Sequence, residues 1–319
     1  MQVDWPLEQA RAHDPDLPAP DDLARFWAET LDGDRVEVRI DAVDNGLLVV
    51  DSHDVTFTGH GGDPVRAWLH LPAAPLVSGP LPGVVQFQGY NGGRGLVHEH
   101  VFWATAGFAQ LVVDTRGQGS GWTTGATADP GRSGPSQPGF LTRGIEAPET
   151  YYYRRVYADA CRAVEALRGH PDVDPRRVVA AGASQGGALA LAVAALVPDA
   201  VAAVLCDVPF LCDVRRAAAI AQSDPYLELV RYLAAHRDRV EQTFATLAHF
   251  DGAVLARLAT APALFSVAMM DPVCPPTTVF AAYNAYAGPK DIAVYEFNGH
   301  EGGEAFQRAR QLEWLAAVL

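Results

Sequence analysis

The sequence predicts an α/β fold built on a mostly parallel, doubly wound sheet, with antiparallel strands at its start. Three observations carry this prediction. Short continuous apolar runs recur at Gly83–Phe87, Ala109–Val113, Arg177–Ala181, Ala203–Cys206, Ala263–Ala268 and Ile292–Tyr295. Strands apolar on both faces belong to a parallel sheet covered by helices. Helical stretches around 97–106, 151–169, 185–196, 275–286 and 303–318 alternate with them, the order that winds a sheet on both faces. Ahead of these runs the period is two, over Val36–Ile40, Asp54–Thr58 and Val65–Leu71, with a turn at Gly59–Gly62. Such segments pair antiparallel at a sheet edge.

Other segments decorate this core. Residues 1–30 read as an N-terminal helical arm punctuated by Pro15, Pro18 and Pro20. Within it, Asp21-Asp22 is expected to cap a short amphipathic helix carrying Leu23, Phe26 and Trp27. Residues 116–149 are rich in Gly, Pro, Ser and Thr; a connection this long is expected to be functional or interfacial. Residues 210–259 carry helical stretches and no strand, which predicts a helical insertion above the strand ends. The whole chain, 1–319, reads as one α/β domain.

Charge and composition exclude several function classes. The formal net charge is −14, against the basic footprint that nucleic acid demands and against anionic membrane surfaces. No run approaches the ~18 apolar residues of a membrane helix. Met1-Gln2-Val3-Asp4-Trp5-Pro6 has neither the cationic start nor the apolar stretch of a signal peptide. The cysteines Cys161, Cys206, Cys212 and Cys274 show no C-x-x-C or zinc spacing. Cys206 and Cys274, in or beside apolar strands, read as buried thiols, and a reducing cytoplasm is the expected location.

The strongest chemical signal is Gly182-Ala183-Ser184-Gln185-Gly186, a G-x-S-x-G string. A strand runs into it and an alanine-rich helix follows, the setting a nucleophile elbow requires. Glycines at 182 and 186 let the turn close while the helix packs against the strand. Ser184 is then held with its hydroxyl exposed, and the Gln185 N–H points into an oxyanion hole at the helix N-terminus. The ordinary alternative is a small-residue turn with an unremarkable serine. The context and the partners below favour the α/β-hydrolase fold, in which acid and histidine follow the serine in chain order.

Downstream of Ser184 lie His236, His249 and His300. The first two fall in the helical insertion and read as solvated or packing residues. His300 follows the last strand in Asn298-Gly299-His300-Glu301-Gly302-Gly303, where glycines let a loop aim the imidazole back at the serine to act as general base. Asp271 closes the preceding strand and is the expected acid, with Asp207, at the end of an earlier strand, as the alternative. The second oxyanion donor is expected from the glycine-rich loop Gln88–Gly95, at the Tyr90 N–H. That loop lacks a dinucleotide fingerprint, and His98-Glu99-His100 lacks the i, i+4 spacing of a helical zinc pair. No cofactor and no metal are expected.

These residues resemble the acetyl xylan esterase and cephalosporin-C deacetylase group, carbohydrate esterase family seven. The marks are Arg116-Gly117-Gln118, Gly182–Gly186 and His300-Glu301, with longer likenesses at Gly89–Gly95, Thr142–Ile145, Tyr151–Arg155, Met270–Pro276 and Thr278–Asn284. The resemblance spans nearly the whole chain. It implies an α/β-hydrolase that removes acetyl groups from small acetylated sugars, such as xylo-oligosaccharides, and from cephalosporin-C-like esters. It implies a triad of Ser184, Asp271 and His300, with oxyanion donation from the Tyr90 and Gln185 amides. Arg116, Gln118 and Glu301 would steady the surrounding loops, and the assembly would be a homo-hexamer. An acyl pocket crowded by Phe210 and Val273 is expected to select acetyl. The competing readings are a broader short-chain carboxylesterase and a catalytically inactive binding protein of the same fold. The second would be favoured by a missing nucleophile, base or acid, and none is missing.

Overall fold

The computed structural model describes residues 3–33, 35–73, 79–130 and 134–319. The first two positions of the predicted arm and residues 131–133 of the long loop lie outside the described residues. The strands are β1 (Val38–Val43), β2 (Val50–Thr58), β3 (Pro64–Pro72), β4 (Leu81–Phe87), β5 (Ala109–Val113), β6 (Val173–Ala183), β7 (Ala203–Asp207), β8 (Ala263–Ala268) and β9 (Lys290–Tyr295). They form a sheet in the order β1-β2-β3-β5-β4-β6-β7-β8-β9. The first three pair antiparallel, β3 joins β5 antiparallel, and every later pairing is parallel. Each apolar run of the sequence lies in one of these parallel strands. The edge strand β1 begins at Val38, two positions later than its alternation suggests, and β2 extends back to Val50.

The helices are α1 (Leu7–Arg11), α2 (Leu23–Leu31), α3 (Phe102–Thr105), α4 (Tyr152–Arg168), α5 (Gln185–Leu196), α6 (Val214–Ile220), α7 (Tyr226–Ala235), α8 (Val240–Ala248), α9 (Gly252–Leu255), α10 (Pro276–Ala285) and α11 (Glu304–Val318). Successive strand residues point to opposite faces. Accordingly Val85, Ala180, Cys206 and Phe265 join the core under α4, α5 and α10, while Val84, Val179, Leu205 and Leu264 pack with Trp103 of α3 and Leu315 of α11. Helix α3 is shorter than the predicted 97–106; in the turn ahead of it the Glu99 carboxylate accepts the Leu96 N–H at 2.5 Å. Among the described residues no helix is long and apolar enough to cross a membrane. All four cysteines are buried and free.

The arm departs from its predicted cap. Asp22 stands before α2, but its side chain caps nothing. It lies 3.0 Å from His249 Nε2 instead, and that hydrogen bond draws the Asp22 carboxyl below its usual range. The insertion is cinched by Asp251. Its carboxylate accepts the Asp213 amide at 2.9 Å and the Val214 amide at 2.8 Å, and it caps α9 through Ala253 at 2.9 Å.

The long loop is knotted by charge. Arg116, its side chain fully buried, grips Asp159 through Nε at 2.6 Å and Nη2 at 2.8 Å, and reaches Asp63 at 3.0 Å. Asp129, also fully buried, lies 3.6 Å from the same guanidinium and is held two-pronged by Arg155 at 3.0 and 2.9 Å. Burial opposes the Arg116 cation, but the three carboxylates outweigh it and raise its pKa above the ordinary arginine value.

Strand register sets what meets at the carboxyl end of the sheet. Phe87 pairs with Gly182, and Ala183 pairs with Asp207. The turns leaving β4, β6 and β7 therefore emerge side by side, and those after β8 and β9 follow. A parallel sheet gathers its loops at this end, where ligands bind.

Candidate active site

Ser184 sits between β6 and α5 with φ 58° and ψ −120°, a conformation that non-glycine residues hold only under constraint. The constraint is visible on both sides. A Cβ on Gly182 would fall 2.3 Å from the Gly186 backbone, and one on Gly186 would fall 2.4 Å from the Phe87 carbonyl. Only glycine lets helix, elbow and neighbouring strand approach so closely. Ser184 Oγ lies 4.0 Å from Cys274 Sγ.

Asp271 follows β8 and is fully buried. One of its oxygens accepts the Val273 and Cys274 amides at 2.8 and 3.0 Å, and the other lies 2.8 Å from His300 Nδ1. An ionised carboxylate so placed fixes the proton on Nδ1 and leaves Nε2 as the basic nitrogen. Glycines at positive φ, Gly302 at 60° and Gly303 at 89°, carry the chain from His300 into α11. Glu301 accepts Asn298 Nδ2 at 2.8 Å, which ties the histidine loop and lowers the Glu301 carboxyl. Ser184 and His300 line one cleft of about 530 Å³ together with Gln88, Tyr90 and Trp122. Among the described residues no hydrogen bond joins Ser184 to His300 directly. Such bonds are often long in unliganded sites and tighten when substrate binds.

Asp207, the alternative acid, points elsewhere. Its oxygens accept Gln307 Nε2 at 2.8 Å and Gln311 Nε2 at 2.6 Å, both from α11. Burial pushes its carboxyl up to about 6. The geometry thus brings Asp271, not Asp207, to the histidine.

The amides of Tyr90 and Gln185 carry no hydrogen bond among the described residues. The Gln185 and Tyr90 side chains are themselves engaged. Gln185 Oε1 accepts Gln118 Nε2 and Tyr153 Oη, each at 2.8 Å, and Gln118 Oε1 accepts the Asn91 amide at 2.6 Å. Gln118 therefore stitches the Tyr90 loop to the elbow. Tyr90 Oη donates to the Glu228 carboxylate of α7, 2.8 and 2.9 Å from its two oxygens, and accepts the Phe140 and Leu141 amides at 3.0 and 3.2 Å. Burial, then the Glu228 charge, raises the Tyr90 phenol above its usual value. Burial likewise raises the Glu228 carboxyl.

The two expected acyl-pocket residues lie behind the cleft surface. Phe210 is fully buried, its amide donates to the Ser184 carbonyl at 3.0 Å, and its ring packs against Tyr226 and Tyr90 with centroids 4.6 and 6.1 Å away. Val273 offers its amide to Asp271, and Phe210, Val273 and Cys274 all stand outside the cleft lining itself. The side chain beside Ser184 is Cys274. Its Sγ, an Asp271 oxygen and a His300 nitrogen fall within 4.8 Å of one another. As a metal set these are poorly disposed, since Asp271 is already spent on three hydrogen bonds and burial pushes the thiol away from its thiolate form. Cys274, Glu228 and Trp122 are the site residues that sequence reasoning missed.

The acetyl xylan esterase family model matches residues 1–318. The acetyl xylan esterase from Paenibacillus sp. R4 is 34% identical, superposes with a TM-score of 0.89 and covers 99% of this chain and 100% of its own. Acetyl xylan esterase 1 from Thermoanaerobacterium sp. JW/SL YS485 is 31% identical, with a TM-score of 0.87 and 98% and 99% coverage. The acetyl esterase Axe7A of Xylanibacter ruminicola is 28% identical over 292 residues, 88% of this chain; the chain spans 63% of that longer relative. A puromycin hydrolase at 20% identity, TM-score 0.62, shares the fold over 88% of this chain and 39% of its own. The chain belongs to the acetyl xylan esterase family, carboxylic ester hydrolases of the α/β-hydrolase fold.

Proposed function

We propose that this protein is a serine deacetylase acting on small acetylated sugars and cephalosporin-C-like acetyl esters through an acetyl-enzyme. The observation that carries the reading is the meeting of Ser184, on its constrained turn, with an Asp271-oriented His300 and two unengaged amides. His300 Nε2 takes the Ser184 proton as Oγ attacks the acetyl carbonyl. The Tyr90 and Gln185 N–H groups receive the oxyanion, a contribution of about 3–4 kcal/mol per donor. His300 then returns the proton to the departing sugar oxygen. Water, activated by the same imidazole, releases acetate.

Cys274 Sγ, 4.0 Å from Oγ, and Phe210, whose amide donates to the Ser184 carbonyl at 3.0 Å, support the expected selection for a small acyl group. The test is kcat/KM along acetate, butyrate and octanoate esters of one alcohol. A pocket with room would gain roughly 0.8 kcal/mol per buried methylene; a tight one loses ~1–3 kcal/mol for each. A steep fall is expected, and a flat or rising series would replace the deacetylase with a general carboxylesterase. We further propose a homo-hexamer in the cytoplasm. The edge strand β1 and the exposed Leu47–Val49 turn support self-association, and a monomer by light scattering at micromolar concentration would remove it.

A further inference from the structure

The cleft beside Ser184 has a wall that ester chemistry does not use. We propose that Trp122 is the platform on which the alcohol half of the substrate, a pyranose ring, stacks while its acetyl group is attacked. This rests on the deacetylase reading above.

Trp122 is 58% exposed yet lines the cleft that holds Ser184 and His300. Exposed indoles on loops ordinarily wander; this one is fixed. Its Nε1 donates to the Tyr90 carbonyl at 3.1 Å. The segment around it is stitched to the Tyr90 loop, with Gly121 N donating to Asn91 O at 3.1 Å and Gly95 N to Thr124 O at 2.9 Å. The Thr123 hydroxyl also donates to Gly93 O at 2.8 Å and accepts Gly93 N at 2.9 Å. The loop beneath is cut to receive the ring. A Cβ on Gly92 would fall 2.3 Å from Trp122 Cζ2, and one on Gly89 would fall at 3.4 Å. The indole thus rests on bare backbone while much of its surface stays open, beside the amide proposed to hold the oxyanion.

The surroundings suit a sugar better than a lipid. Gln88, Glu99, His100, Glu301 and Arg308 line the same cleft. Gln88 is 2% exposed and its Nε2 has no partner; His100 Nε2 is likewise buried without one. An orphaned donor in the interior is unfavourable by roughly 1–3 kcal/mol, and a ligand hydroxyl that turns either group toward the cleft relieves it. An aromatic face joined to spare hydrogen-bond groups matches a pyranose, apolar on its C–H face and polar at its rim. An acyl tail would leave those groups unsatisfied.

The experiment compares kcat/KM for xylose tetraacetate with that for ethyl acetate, which has no ring to stack, in wild type, Trp122→Ala and Trp122→Phe. In Trp122→Ala the sugar-to-ethyl ratio is expected to fall on the order of tenfold, through KM for the sugar ester, and Trp122→Phe should restore most of it. An unchanged ratio in Trp122→Ala, whether both esters suffer equally or neither does, overturns the platform and leaves the deacetylase standing. Wild type that hydrolyses ethyl acetate but no acetylated sugar removes the deacetylase reading itself. Calorimetric titration of Ser184→Ala with xylose tetraacetate, with and without Trp122→Ala, gives a turnover-free check. Equal affinities there also overturn the platform.

Discussion

The contact between Glu228 and Tyr90 joins the helical insertion to the oxyanion loop, and it can be broken from either side. Glu228→Ala strips the Tyr90 hydroxyl of its carboxylate, held at 2.8 and 2.9 Å, and takes from the Leu141 amide an acceptor at 3.3 Å. A hydrogen bond to a charged group is worth about 1.5–3 kcal/mol. Glu228 is only partly buried, so solvent screening places it toward the lower end. Outright loss of an oxyanion donor lowers kcat by about 10²–10³. Glu228→Ala leaves the Tyr90 amide present but loosely held, so a loss on the order of tenfold is expected, in kcat with KM little changed. Tyr90→Phe retains the backbone amide, removes the same contact and also takes an acceptor from the Phe140 and Leu141 amides, and should lose at least as much. The assay is a double-mutant cycle on an acetyl ester under saturation. With the Glu228 contact already gone in Tyr90→Phe, the pair should lose about what Tyr90→Phe alone loses. Full additivity, or a loss confined to KM, would refute the claim that α7 positions the donor.

Ser184→Ala should fold normally and lose on the order of 10⁶ in turnover, with an organophosphate labelling only the wild type; substantial residual activity would exclude Ser184 as nucleophile. Asp271→Asn should lower kcat by about 10⁴ by favouring the wrong imidazole tautomer, whereas Asp207→Asn, whose carboxylate faces glutamines of α11, should leave turnover within about tenfold. The reverse ranking in steady-state kinetics would exchange the two acids. Stability should also report on Asp207. Its carboxyl rises from 3.8 to about 6 on folding, so the folded state binds the extra proton, and this group's contribution is present at low pH and lost as pH rises through that window. The change corresponds to about 3 kcal/mol at most. Denaturation of Asp207→Asn relative to wild type should therefore shift in the variant's favour between pH 4 and pH 7, and a pH-independent difference would contradict the buried carboxyl.

Much of the sheet was legible because its strands are buried on both faces. A fully buried strand is held to a largely apolar sequence, as Ala263–Ala268 shows, with Ser266 its one polar side chain. The elbow and the acid were legible for a related reason: parallel strands deliver their next residues to one end, so chain order and strand ends nominate Ser184, Asp271 and His300. What sequence reasoning missed depends on contacts between distant segments. Glu228 lies 138 positions from Tyr90, on a helix whose own periodicity says nothing about its partner. Asp22 has the residue type and place of a cap, yet the His249 imidazole claims it. Local pattern reports which face a residue presents, and only the folded chain reports what waits there.

The charge knot beneath the long loop restricts how this sequence can drift. Removing one member of a buried ion pair strands its partner's charge, a loss of about 3–5 kcal/mol, comparable to much of the 5–15 kcal/mol that keeps a typical domain folded. Arg116 serves Asp159, Asp63 and Asp129 at once, and Asp129 also answers to Arg155. Single exchanges within this set are therefore blocked, while concerted replacement by well-packed apolar side chains is permitted. Descendants of this chain should keep the group whole or lose Arg116 and Asp159 together, so these positions should covary where solitary surface pairs, such as Arg231–Asp224, vary independently.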